Sequence, residues 1–325
     1  MTTRRAFLGS VAGGLLARPR AAEAQQARVY RVGVVLQGGP YVGAVNGLRK
    51  GLGELGLEEG KQFILHIREG KGDLKAVEQA AEDLEREKVD LIYAVSSSVT
   101  LAAKQATKTV PIVFYAGTDP VALGLVESFR KPGGRLTGVY GRLPDLTPKR
   151  LELLKEMVPR LRRVVMFYDR NNRVAQRDMK LARDAARQLK VELVEHRVGS
   201  VEELRAGLRA LRAGETDAFL SGADAMVVGE TALVIDTARA RNLPTMFTEL
   251  DSVVKGGLAS YGVSYSTMGG LCARYVQRIL LGASPGDLPV EQVDKLYFVV
   301  NLKTAKTLGL TIPQSLLQRA DEVIQ

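Results

Sequence analysis

The 325-residue sequence predicts an α/β protein built from two doubly wound, parallel-sheet lobes. Three observations carry that reading. Strand-like and helix-like segments alternate from residue 29 onward in two successive runs, and repeated βα alternation demands parallel strands with helices on both faces. The runs are separated by KPGGRLTGVYGRLPDLTPKR (131–150), rich in Gly, Pro and Thr, as a crossover between lobes would be. A second change of texture, at 261–282, precedes a last strand, KLYFVVN (295–301), so the chain crosses back at least once near its end.

The elements follow in order. VYRVGVVL (29–36) is a short apolar run of the kind a strand covered on both faces shows. VGAVNGLRKGLGELG (42–56) is an amphipathic helix closed by Gly56. FILHIRE gives a second strand, and LKAVEQAAEDLEREK a helix with strong 3.6-residue periodicity. VDLIYAV is the third strand, SVTLAAKQAT a helix and PIVFYA the fourth strand. The second run starts with the strand RVVMFYD (163–169) and the helix VAQRDMKLARDAARQLK, then the strand VELVEHRV and the helix VEELRAGLRALRA. It closes with the strand DAFLS, a single helix over MVVGETALVIDTARARN and the strand PTMF. In the last part of the chain, YGVSYSTMGGLCARYVQRILLG reads as a Gly-rich lead into one more helix.

Composition narrows the functional classes. The chain is 46% hydrophobic and 25% charged, as globular proteins are. Its net charge of +10 leaves nucleic acid, a membrane surface or an anionic ligand open in principle. Lys and Arg are nevertheless scattered among nearly as many acids. The densest cluster, PRLRRVV, lacks interleaved aromatics, so no nucleic-acid partner is expected.

The first 24 residues read as a secretory signal peptide. Arg4-Arg5 precede a short Ala/Gly/Leu/Val run, and Ala22-Glu23-Ala24 supplies small residues for cleavage. The apolar run falls well short of the roughly 20 residues of a spanning helix. Thr3-Arg4-Arg5-Ala6-Phe7-Leu8 has the pattern of a twin-arginine export signal. This segment carries four arginines and one glutamate, three of the ten positive charges, so the remainder is near +7. Cys272 is the sole cysteine, which leaves no internal disulfide and makes the hydrophobic core responsible for stability. No cysteine follows the apolar run to take a lipid anchor. The expectation is a monomer, soluble in the periplasm, with no membrane insertion.

In open parallel sheets, ligands bind beyond the carboxyl ends of the strands. Six loops qualify: Gln37–Gly43, Ser96-Ser97-Ser98, Ala116–Pro120, Tyr168–Asn172, Gly222–Ala225 and Thr248–Asp251. The first resembles G-x-G-x-x-G, but Pro40 stands where the backbone must approach a pyrophosphate, so nucleotide binding is not expected. The triple serine offers hydroxyls and free N–H groups at a helix start, where the dipole favours an anion. One serine explains a cap, whereas three leave spare donors. Asp119 before Pro120 reads either as a cap or as a counter-charge for an ammonium, and Asp224 has the same two readings. Tyr41, Tyr115, Tyr168 and Tyr265 are either stacking surfaces for a flat ligand or half-buried core.

Catalytic motifs are missing. No G-x-S-x-G, H-E-x-x-H or P-loop pattern occurs. The two histidines, His66 and His196, fall in strands away from the ligand-facing loops, and Cys272 reads as an inert core thiol. No cluster of metal-ligating residues is evident, and neither enzyme activity nor a cofactor or metal is expected.

TDPVALGLVESFRKPGGRLTGV (118–139) and, more specifically, LPVEQVDKLYFVVNLKTAKTLGLTIPQSLLQRADEVI (288–324) resemble the ABC-transporter substrate-binding proteins that include tryptophan and tyrosine binders. The likeness covers essentially everything after the signal peptide. It implies a type I periplasmic-binding-protein fold, with three crossovers and a cleft between lobes. Lobe boundaries follow at 28–142 plus about 264–290, and 143–263 plus about 291–325. The resemblance puts the ligand loops at Gly39 to Tyr41, Ser96, Ser97, Ser98, Thr118 and Asp119 in the first lobe, and at Tyr168, Asn171, Asp224 and Glu249 in the second. It implies capture of a small carboxylate-bearing solute (an amino acid, aromatic ones included, or a related organic acid) for an ABC permease and ATPase. A ligand sensor feeding a chemoreceptor or regulator is the alternative.

Overall fold

The computed structural model describes residues 28–325, so the export signal expected over residues 1–24 lies outside the described residues. The chain runs β1 (Tyr30–Leu36), α1 (Val42–Glu54), β2 (Phe63–Glu69), α2 (Leu74–Arg86), β3 (Leu91–Val95), α3 (Ser97–Ala106), β4 (Ile112–Ala116) and β5 (Leu136–Tyr140). It continues α4 (Thr147–Met157), β6 (Arg163–Asp169), α5 (Arg173–Leu189), β7 (Glu192–Val198), α6 (Val201–Ala210), β8 (Ala218–Leu220), α7 (Ala225–Gly229), α8 (Thr231–Ala240) and β9 (Thr245–Glu249). It ends α9 (Asp251–Val254), β10 (Ala259–Val263), α10 (Tyr265–Leu280), β11 (Glu291–Gln292), β12 (Tyr297–Asn301), α11 (Leu302–Thr307), α12 (Gln314–Leu317) and β13 (Glu322–Ile324).

These strands form two sheets, ordered β11-β5-β4-β3-β1-β2 and β13-β12-β10-β9-β8-β6-β7. Every pairing is parallel except β10 with β12. The period of two is visible within each central strand. In β3, Leu91, Tyr93 and Val95 enter the core shared with α1 and α10, while Ile92 and Ala94 enter the core on the opposite face. In β6, Val164, Met166 and Tyr168 face one core and Val165 and Phe167 the other. Both sheets are thus covered on two faces, which is why their strands read as continuous apolar runs.

Three expectations need correction. The segment 131–150 is not merely a crossover, because it contains β5, fully buried and paired with β4 from Ile112–Leu136 to Ala116–Tyr140. Gly138 disguises the strand: a Cβ there would stand 2.0 Å from the Phe114 carbonyl oxygen. The helix expected over 226–242 is broken at Glu230 into α7 and α8. With β11 paired to β5 in the first sheet, the last crossing follows Gln292. The Gly-rich stretch at 261–282 also begins inside a strand, β10.

The chain passes between the sheets three times, after β5, after β10 and after β11. The second passage delivers α10 onto α1, and small residues set how closely they pack. A Cβ on Gly47 would lie 1.9 Å from the Ser266 carbonyl oxygen, and one on Gly269 would lie 1.8 Å from that of Ala44. Only glycine permits that backbone approach. Tyr41 directly precedes α1 and Tyr265 opens α10, so the same packing brings their rings to 4.7 Å centroid separation.

Candidate ligand-binding cleft

The carboxyl ends of the two sheets face each other across a cleft. The first lobe contributes the turn from β3 into α3. Ser96 has φ 99° and ψ 159°, a region that only glycine occupies at ease, and strain of about 1–3 kcal/mol accompanies it. The distortion is held by the sheet: the Ser96 N–H donates to the Tyr115 carbonyl at 2.9 Å. The Ser96 hydroxyl accepts from the Val99 N–H at 3.3 Å and so caps the helix. Ser97 Oγ accepts from the Gly117 N–H at 2.9 Å. Ser98, half-buried, meets only Ser96 Oγ, at 3.5 Å. The three serines therefore differ: one caps, one braces the neighbouring loop, and the third keeps its hydroxyl largely uncommitted.

Between the lobes lies a small cavity of about 20 Å³, enough for about one water molecule. On the first-lobe side it is lined by Ser96–Ser98, Tyr41, Tyr115 and Tyr265, and on the other side by Asn172, Ala223, Ala225 and Thr248, among others. The three tyrosines form one aromatic cluster, with Tyr115 and Tyr265 at 5.8 Å. Burial raises all three phenols above their ordinary values, so they are neutral hydrogen-bonding groups at any physiological pH. Ser97, Ser98, Asn172 and Val174 also form the inner wall of a groove of about 610 Å³ that leads outward past Asp119 and Asn171.

The second lobe places carboxylates behind this wall. Asp224 accepts from the Met226 and Val227 N–H groups at 2.9 and 3.2 Å and from the Asp169 N–H at 2.7 Å. Glu249 accepts from the Ser252 N–H at 3.1 Å and from the Ser252 hydroxyl. Desolvation pushes Asp224 up to about 6 and Glu249 up to about 7. Arg150, completely buried, donates from Nε to the Tyr261 carbonyl at 2.7 Å and from Nη1 to the Leu143 carbonyl at 3.1 Å. Those carbonyls lie beside the second and first passages between lobes, so one guanidinium ties both.

The residues singled out in the sequence thus separate into groups. Tyr41 and Ser96–Ser98 line the small cavity between the lobes. Gly39 lies at a lobe–lobe contact: a Cβ there would stand 2.5 Å from the Gly229 carbonyl oxygen. Thr118, Asp119 and Asn171 line the outer groove. The Asp119 carboxylate accepts from the Val121 and Ala122 N–H groups at 2.8 and 3.0 Å, as a cap does. Tyr168 turns away, into a shallow outer pocket with Gln176, Arg183 and Arg197. Asp224 and Glu249 are back from the wall, engaged with backbone. Sequence reasoning chose Asn171 and missed its neighbour: Asn172 is the N-cap of α5, accepts from the Val174 N–H at 3.0 Å and faces the cavity. Its signal was available, since a cap immediately precedes its helix and here that helix begins at Arg173. Among the described residues no cluster of His, Cys, Asp or Glu suits a metal, and no helix is long and apolar enough to cross a membrane.

A three-crossover pair of parallel α/β sheets with a lined cavity between them defines the type I periplasmic-binding-protein fold. The family model described as "ABC transporter substrate binding protein" matches residues 31–324, and the chain belongs to that family. It is 30% identical over 267 residues to a tyrosine-binding protein of Clostridioides difficile, spanning 82% of this chain and 76% of that protein. A Streptococcus pneumonia ABC domain in complex with L-Trp superposes with a TM-score of 0.80 at 25% identity, over 91% of this chain and all of that one. A ligand-free, open structure of a Clostridium difficile substrate-binding protein with adhesive properties gives 0.58 at 26% identity, with the same coverage.

Proposed function

We propose that the protein is the periplasmic solute-binding component of an ABC importer and captures a small carboxylate-bearing solute by closing two lobes over it. The first lobe comprises about residues 28–142 and 264–293, and the second the remainder. The carrying observation is the cavity between the lobes, where a strained serine turn at a helix start faces three neutral tyrosines. Free N–H groups at the start of α3, with the Ser98 hydroxyl, suit a carboxylate. The tyrosine cluster suits a side chain with a flat or apolar body. Asp119, on the outer groove, or an acid of the second lobe is assigned to the solute's ammonium. Amino acids, aromatic ones included, meet these requirements together. Capture makes and breaks no covalent bond, and the protein works as a monomer.

Closure is supported by size. A cavity of about 20 Å³ is too small for any amino acid, so loading requires the lobes to part, and rotation about the three crossings is the motion this fold offers. The chain also matches an L-Trp complex far better than a ligand-free open relative of equal identity, as a difference in lobe angle would produce. The test is a thermal-shift screen of amino acids, aromatic acids and short carboxylates, followed by calorimetry. At about 100-fold excess over Kd a true ligand adds roughly 2.7 kcal/mol of stability. A screen without any stabilising solute, or turnover of the bound solute, overturns the reading.

A further inference from the structure

The short helix α7 packs in two directions. Ala225 and Val228 lie on one of its faces and join the apolar cluster of Leu36, Tyr41 and the α1–α10 contact in the first lobe. Met226 and Val227, on the opposite side, belong with Val165 and Phe167 to a core of their own lobe. Ala225 and Val228 also line the cavity. A helical turn of the second lobe is therefore seated in the first, beside the place of the solute.

Its seat is built from backbone. Gly229, at the end of α7, meets Gly39, and a Cβ on Gly229 would stand 3.5 Å from the Gln37 carbonyl oxygen. A second contact flanks the first: a Cβ on Gly72, at φ 89°, would stand 2.0 Å from Val201 Cγ2 and 3.4 Å from Met226 Cγ. Gly39 and Gly72 lie in different loops, after β1 and after β2, and one side chain ties those loops together. Gln37, 2% exposed, accepts from the Gly72 N–H through Oε1 at 2.6 Å. On the other side of the cleft, Asp224 caps α7 and accepts from the Asp169 N–H, which fixes the helix to the end of β6. Gln37 is not among the residues that line the cavity.

We propose that Gln37 is the positioning residue of a latch. It shapes the first-lobe seat that α7 enters on closure, and so sets how long the solute is held without touching it. When the lobes part, Gly72 leaves Val201 and Met226, and water replaces the glutamine oxygen at little cost if that oxygen is lost. On closure the same N–H is buried against the second lobe, where an unpaired donor is expensive. The penalty of losing Oε1 therefore falls on the closed, loaded form and is read as faster release.

This inference rests on the capture reading. Its test is stopped-flow binding of each solute that stabilises the protein in the thermal-shift screen, L-tyrosine and L-tryptophan first. The proteins compared are wild type, Gln37→Met, Val201→Ala and the double variant. Methionine keeps the side-chain length and loses the acceptor, and alanine removes the Cγ2 that meets Gly72. Gln37→Met should raise the dissociation rate constant about tenfold, with the association rate constant and the ligand-free Tm near wild type. The two sites act through one contact, so the double variant should release solute no more than about threefold faster than the worse single variant. An unchanged dissociation rate constant in Gln37→Met, or two effects that simply multiply, overturns the latch and leaves capture standing. A fall in ligand-free Tm without faster release makes Gln37 a brace of its own lobe and likewise overturns the latch. A screen in which no solute stabilises the wild type overturns both.

Discussion

Gly39 and Gly229 meet backbone to backbone across the cleft, with room for no more than a hydrogen on the Gly39 α-carbon: a Cβ would stand 2.5 Å from the Gly229 carbonyl oxygen. Gly39 also has φ 59°, so any side chain adds strain of about 1–2 kcal/mol. Gly39→Ala should fold with a slightly lower Tm and bind its solute at least tenfold more weakly, because the lobes can no longer meet. Calorimetry checks this, and unchanged affinity would detach that contact from capture.

The strained turn at Ser96 separates two kinds of substitution. Ser96→Ala removes the cap and keeps the distortion, a loss of about 1 kcal/mol. Ser96→Gly loses only a few tenths from the cap and relieves strain of about 1–3 kcal/mol. Urea melts should rank the glycine variant above the alanine variant by about 2 kcal/mol. The reverse order would remove the strain at this turn.

Three buried acids give stability a defined pH dependence. Burial raises Asp178 and Asp224 to about 6 and Glu249 to about 7, above unfolded values near 4. The folded chain then holds more protons than the unfolded one between those limits. Their contribution is fully present below about pH 4 and is lost as pH rises through 6 and 7. Carboxylates held low, such as Glu85 at about 2, gain or lose their contribution only below this window. His196, lowered by burial, opposes the trend as one group against three. Tm should fall from pH 5 to pH 8, and Glu249→Gln should flatten that slope. A Tm that rises over the range would contradict the assignment.

Cys272 is fully buried, donates to the Phe114 carbonyl at 3.6 Å and is pushed up to about 12 by desolvation. The reactive thiolate is therefore scarce in the native state. A thiol reagent at pH 8 should label the protein only as fast as it unfolds, and reductant should leave Tm unchanged. Rapid stoichiometric labelling of native protein would show the α10 core open to solvent.

Most of the strands were legible because strands buried on both faces write long apolar runs, as Tyr30–Leu36 and Arg163–Asp169 do. What escaped was hidden by glycine. Gly138 made β5 look like linker, although it is there to let β4 pass, and Gly47 and Gly269 carry a helix contact no periodicity reveals. At the cleft, the serine turn and Tyr41 were readable as a polar loop and an aromatic beyond strand ends. Which of Asn171 and Asn172 faces inward depended on one residue of helix register. Tyr265 joins Tyr41 only through the α1–α10 packing, a relation between segments more than 200 residues apart.

That packing also orders events during synthesis. The opening 114 described residues, 28–141, build five of the six strands of their sheet yet cover one face with α1 alone until a helix made some 120 residues later arrives beside it. The earlier half therefore cannot reach its final form while the chain is still growing through the later one, and a fragment ending near residue 260 should clump through the part of α1 and the sheet that α10 would cover instead of standing as an independent unit.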